Sequence, residues 1–319
     1  MTQRLPFVMA FYRALGTGMV ISADSPIDDK VRSAMESLIE DYEHVLSRFR
    51  NDSLIAAIGK AEHGGSFDFP DWCAPLFDLY DALFSATSGA IDPCVGEDLI
   101  RLGYDASLSF TVTQDAPEHL GALRGRAVWG RDVTRHGTTL VTHEPVQLDF
   151  GACGKGYLVD LLGRMLQSSQ FVIDAGGDLL IHTEQPISVA LEDPEDQSHA
   201  IGIAHIANGA LCASAPSRRH WNVAVNERTQ IAIHHLLNAI DGLPAQQTEA
   251  SWAYVPANAT LNLARDYPTA VADGLATALF VSDVAQLQRT FDFTYATLDE
   301  SRQIAVSRNF PAELFLRSA

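Results

Sequence analysis

The segment Leu148-Asp149-Phe150-Gly151-Ala152-Cys153-Gly154-Lys155-Gly156-Tyr157 constrains this chain more than any other. Apolar residues run into a turn with three glycines, and a helical pattern opens at its end and continues from Lys155 to Ser168. A strand that hands over to a helix in this way lets backbone N–H groups approach a ligand closely, and the helix N-terminus favours an anion there. Lys155 adds a full positive charge at the same place. The glycine and lysine spacings match neither a Walker loop nor a dinucleotide fingerprint. Taken alone, a tight turn with a surface lysine explains these residues as well as an anion site does.

The anion reading gains weight from the charge of the whole chain. Its 319 residues hold 40 acidic against 22 basic side chains, a net charge of −18. Such a surface repels nucleic-acid phosphates and anionic lipid, so neither is expected as a partner. An anionic substrate therefore needs a local cation cluster or a bound metal. No apolar run approaches the roughly 20 residues of a membrane span. The stretch from Leu5 to Tyr12 is too short for a signal sequence and is followed by Arg13. Four scattered cysteines without metal-ligand spacing read as free thiols of a reducing compartment. The protein is expected to be cytoplasmic.

Residues 14–23 predict a strand. Ser25 as N-cap and Pro26 at the first position open a long amphipathic helix that runs to Phe49, and a second helix spans 71–87 up to Gly89. Short strands are expected within 107–148, and further ones at 171–174, 187–192, 200–205 and 210–214. A helix over 270–281 and a hairpin of 291–298 with 303–308 complete the pattern. Strands and long helices without strict alternation indicate an α+β fold, and no linker divides the chain.

Three other segments carry chemistry. In Val172-Ile173-Asp174-Ala175-Gly176-Gly177-Asp178 a strand ends in two glycines between aspartates. This suits either backbone held against a bulky group or a plain turn. Asp273 and Thr277 lie at i and i+4 of one helical face and offer hard oxygen ligands of the kind magnesium accepts; a helix-dipole partner and a back-bonded hydroxyl are the structural alternative. His234-His235 ahead of Asp241-Gly242 can supply a base near neutral pH, although most histidines are structural.

The order of these blocks is more specific than any one of them. Leu15-Gly16-Thr17, Ser47-Arg48-Phe49-Arg50 through Ser53, and Gly89-Ala90-Ile91-Asp92-Pro93 through Gly96 come first. Asp149 through Tyr157, Ala175-Gly176-Gly177-Asp178, His235 through Pro244, and Asp273 through Thr277 follow. This succession, over roughly residues 12–310, resembles the ApbE family of FAD:protein FMN transferases.

The resemblance implies one domain with an α+β fold of T-fold-like halves, mixed antiparallel sheets and long helices. It implies FAD as substrate, Mg2+ at its diphosphate, and transfer of FMN to a threonine of an acceptor flavoprotein with release of AMP. By position, Asp149 and Lys155 contact FAD, with Gly176 and Gly177 beside it. Ala152 offers its carbonyl to the metal together with Asp273 and Thr277. Leu15, Phe49, Ala90, Ile91 and Asp92 line the flavin or adenosine cleft. His235 lies beside the diphosphate and, with Asp273, carries the catalytic role. The family pattern His-x-x-Asp-Pro-x-Thr-Gly stands here as His235, Asn238, Ala239, Asp241 and Gly242, an altered block where the acceptor approaches. An FAD diphosphatase and a non-catalytic FAD-binding protein are the alternatives.

Overall fold

The computed structural model describes residues 5–226 and 229–315. A nine-stranded antiparallel sheet forms its spine, in the order Phe7–Ala14, Thr17–Ala23, Phe171–Asp174, Asp178–Glu192, Ala200–Ser214, Thr248–Pro256, Thr294–Asp299 and Ile304–Val306. Ala312–Leu314 pairs with residues 202–204, beyond the 209–214 stretch that pairs with Thr248–Pro256. Three small sheets stand apart, among them Gly65–Asp68 with Val133–His136 and Thr139–Thr142. The expected α+β class holds. No helix among the described residues is long and apolar enough to cross a membrane.

The long first helix starts later than its proline suggests, at Asp29. Asp28 is the N-cap, accepting from the Lys30 amide at 2.6 Å, while the Ser25 hydroxyl pairs with Ser168 at 2.9 Å. Met35, Ile39, Tyr42 and Leu46 form the buried face, as their spacing of four, three and four requires. The expected helix over 71–87 is a short 3-10 turn followed by Ala74–Ala86.

The strand expectations fail where the sequence lacks alternation. The strand Asp178–Glu192 was legible only in its second half, because the ladder to its neighbour shifts register between His182 and Ile187. Ala200–Ser214 is one strand, not two; Gly209, at φ +129°, lets it pass so close to Thr248–Pro256 that a Cβ there would lie 2.4 Å from the Val255 carbonyl oxygen. Thr248–Pro256, absent from the expectation, is covered on both faces along residues 250–253 and so carries no period of two. Phe7–Ala14 is an edge strand. Residues 107–132 form no strand longer than an isolated bridge. Asp105, just before this stretch, accepts from the Ser107 and Ser109 amides, side-chain bonds that stand in place of a ladder.

Two helices lie against the central strands and against each other, Gly154–Gly163 and Pro268–Ala278. The first ends five residues earlier than expected, at Gly163, a poor helix former. A Cβ at Gly163 would sit 2.6 Å from Leu180 Cδ2. The helices meet at Gly156, where a Cβ would lie 2.3 Å from the Thr269 carbonyl oxygen. Asp160 on the first helix accepts from the Thr269 and Ala270 amides at 3.1 and 2.8 Å, satisfying donors that open the second. All four cysteines are free and buried, and burial raises each thiol's pKa.

Gly156→Ala places a methyl against backbone that cannot turn aside. The variant is expected to lose about 1–3 kcal/mol of stability, measured by urea unfolding. A wild-type midpoint and slope would show that the helix pair yields.

Candidate active site

The glycine turn is built by its own chain. The Asp149 carboxylate accepts from the Gly151 amide at 2.6 Å, and the Asp149 amide donates to the Pro93 carbonyl at 2.7 Å. The Gly154 amide closes onto the Phe150 carbonyl, and the buried Tyr42 hydroxyl donates to the Gly154 carbonyl at 2.7 Å. Lys155 then projects from the first turn of the helix toward two carboxylates. Its ammonium pairs with Asp178 and lies 3.7 Å from Asp273 Oδ1.

Asp273 and Thr277 face this turn from the neighbouring helix. Asp273 Oδ2 accepts from the Gly156 amide at 3.0 Å, and the Thr277 hydroxyl lies 3.4 Å from the Ala152 carbonyl oxygen. The carbonyl of Ala152, the hydroxyl of Thr277 and the carboxylate of Asp273 therefore share one locality. Burial first, and Asp178 second, push the Asp273 carboxyl up to about 8, against the opposing pull of Lys155. No three acidic, histidine or cysteine side chains among the described residues form a metal cluster. A cation here relies on hard oxygen donors of mixed kind, the arrangement that suits Mg2+ completed by phosphate oxygens and water.

His235 stands within electrostatic reach of Lys155. Its Nδ1 lies 3.2 Å from the Arg219 carbonyl. A carbonyl only accepts, so Nδ1 carries the hydrogen and Nε2 keeps its lone pair. Burial, reinforced by the positive charges of Lys155 and Arg219, lowers its pKa to about 4. His234 is structural: Nε2 donates to the Ala245 carbonyl at 2.7 Å and Nδ1 accepts from the Leu236 amide at 3.3 Å.

The remaining expected residues divide. Leu15, at φ +53°, packs against the main core and donates its amide to Glu43 at 2.9 Å. Gly176 and Gly177, at φ +70° and +107°, both donate to Asp174 Oδ1. A side chain at Gly176 would come 2.8 Å from the Thr17 hydroxyl, whereas that position at Gly177 faces open space. Phe49 stays exposed, edge-on to Tyr104. Ala90, Ile91 and Asp92 are instead buried. Asp92 accepts from the Cys94 amide at 2.8 Å and lies 3.5 Å from Arg126, so its carboxylate is spent on the fold. Through Arg126, which donates to the Ala239 carbonyl at 2.7 Å, this turn fixes the histidine block.

Sequence reasoning passed over four side chains at the site. Arg48 pairs with Asp149 and donates to the Tyr104 carbonyl at 2.5 Å. Its guanidinium lies 4.2 Å from the Phe49 ring centroid and 4.6 Å from that of Tyr104. Arg219 approaches the Tyr104 ring at 5.6 Å, and Asp178 holds Lys155. Arg48 and Asp178 stood inside blocks already singled out; nothing in the local sequence marks Tyr104 or Arg219.

The model of the ApbE family matches residues 15–297. An FAD:protein FMN transferase of Treponema pallidum (strain Nichols) is 25% identical over 299 residues, covering 79% of this chain and 72% of that protein. The crystal structure of the ApbE protein of Thermotoga maritima shares the fold with a TM-score of 0.78 at 20% identity, covering 96% of this chain and 99% of its own. The flavin transferase ApbE of Vibrio cholerae does so with 0.74 at 17%, covering 95% and 97%.

The depressed His235 has a measurable consequence. As the pH falls below the ordinary value of 6.5, the unfolded imidazole takes a proton that the folded one accepts only near 4. His235 therefore makes stability rise with pH across that window. His235→Gln is expected to flatten the difference between pH 4 and 6.5 relative to wild type, followed by urea unfolding at several pH values. Parallel curves for the two proteins would contradict this.

Proposed function

Because the chain belongs to the ApbE family, we propose that it transfers FMN from FAD to a threonine of an acceptor flavoprotein and releases AMP, with Mg2+ at the diphosphate. The observation that carries this reading is the convergence of the Ala152 carbonyl, Thr277, Asp273 and Lys155 where the glycine turn opens its helix. The Treponema relative's description as an FAD:protein FMN transferase supports the choice of reaction.

On this reading the threonine oxygen attacks the FMN-side phosphorus, a P–O bond forms, and the P–O bond to AMP breaks. The bridging oxygen leaves with AMP. The Ala152 carbonyl, Asp273 and Thr277 would hold Mg2+, which would supply charge neutralisation to the phosphoryl oxygens. Lys155 adds a second positive charge to the same anion. The hydroxyl proton passes to Nε2 of His235, whose tautomer is fixed by the Arg219 carbonyl. The incoming diphosphate raises the imidazole's proton affinity from its depressed resting value. Phe49 and Tyr104, backed by the Arg48 guanidinium, offer ring faces to a flavin or adenine ring.

The test incubates the protein with FAD and Mg2+, with and without a candidate acceptor, and follows AMP and acceptor-bound flavin fluorescence. AMP is expected in step with covalent flavin. Asp273→Ala is expected to abolish both, and His235→Ala to lower the rate about 10²–10⁴-fold. AMP with free FMN and no acceptor would identify a diphosphatase instead. FAD binding without AMP would overturn the reading.

A further inference from the structure

Two buried carboxylates share one ammonium at the helix pair, and they share it unequally. Asp178, at the head of its strand, and Asp273 are almost wholly buried, while the Lys155 side chain keeps about a third of its surface exposed. Lys155 therefore reaches them from the open side. It is in contact with Asp178 Oδ2 and stops 3.7 Å from Asp273 Oδ1. Asp178 Oδ1 is buried and has no hydrogen-bond partner. A close charge-assisted hydrogen bond is about 2.8 Å long, so a shift of roughly an ångström would move the ammonium onto Asp273 and cover its free oxygen.

We propose that Asp178 is a positioning residue that parks the Lys155 ammonium away from Asp273 and so keeps the Asp273 oxygen open to a divalent cation. The inference rests on the metal reading of the site given above. Once Asp273 is ionised, two carboxylates and one ammonium leave one negative charge uncompensated in a buried place, which attracts a cation strongly. With Asp178 present, that charge is presented by Asp273. Without it, Lys155 and Asp273 neutralise each other, and a metal must displace the ammonium before it can bind. Lys155 is thereby held where a diphosphate oxygen can reach it from the exposed side.

The test measures binding of Mn2+, a stand-in for Mg2+ at oxygen ligands, to the full chain without FAD, by the electron paramagnetic resonance signal of free Mn2+. Four proteins are compared: wild type, Asp178→Asn, Lys155→Met and the double variant. Circular dichroism melting checks that each is folded. Asp178→Asn is expected to weaken binding by at least about tenfold. Lys155→Met is expected to restore binding in the Asp178→Asn background and to change it much less in wild type. That non-additivity separates positioning from the loss of a charge acting through space, which gives the same lysine effect in both backgrounds. Equal lysine effects, or Asp178→Asn binding as wild type does, would overturn the proposal while the metal site stands. A wild-type protein that binds no Mn2+ would overturn the metal reading and this inference together.

Discussion

The reciprocal contact between helices Gly154–Gly163 and Pro268–Ala278 is the interaction on which the rest of the molecule depends. Each helix sends an aspartate to unpaired amides at the start of the other: Asp160 to Thr269 and Ala270, Asp273 to Gly156. Helix starts carry amides without intrahelical partners and a partial positive charge, so each carboxylate satisfies a need that its own helix cannot. The exchange demands close approach, which Gly156 permits. It also fixes which face of each helix looks at the other, and hence brings the Ala152 carbonyl to Thr277. Asp160 shows the cost: burial pushes its carboxyl up to about 7 in spite of two amide bonds. Charge at this seam is held by geometry rather than by solvent.

The second constraint is that an acidic chain must make a place for an anionic substrate. Around the glycine turn it does so with individually held cations. Lys155 is the cation at the glycine turn, Arg48 is engaged by Asp149, and Arg219 lies over Tyr104. Each positive group near the site is thus paired or stacked and held in one orientation. Selectivity then follows from where the charges stand more than from how many there are.

Local chemistry was legible in the sequence, and long-range arrangement was not. The glycine turn, the helical face shared by Asp273 and Thr277, and the amphipathic helix, expected as far as Phe49 and ending at Leu46, are legible from spacing, because each is set by neighbours within a few residues. Thr248–Pro256 escaped because a strand enclosed on both faces shows no alternation. Phe7–Ala14 escaped because its apolar run invited comparison with a leader sequence. Asp92 shows the limit of a local reading. A polar turn after a helix looks available to a ligand, yet the carboxylate is buried, accepts from the Cys94 amide and lies 3.5 Å from Arg126, 34 residues away. Arg48 and Tyr104 meet through a fold-level contact that no local pattern encodes.

The burial of the four thiols makes them reporters of where the molecule opens. Reagents that need a thiolate find none ready in the folded protein, since burial favours the protonated form. Cys153 lies in the glycine turn, Cys212 opposite Asp178 across the ladder, Cys94 beside Asp92, and Cys73 at the start of the helix Ala74–Ala86. The order in which they react during exposure to a labelling reagent thus reads out the hierarchy of local openings around the site, with no label added to the chain in advance.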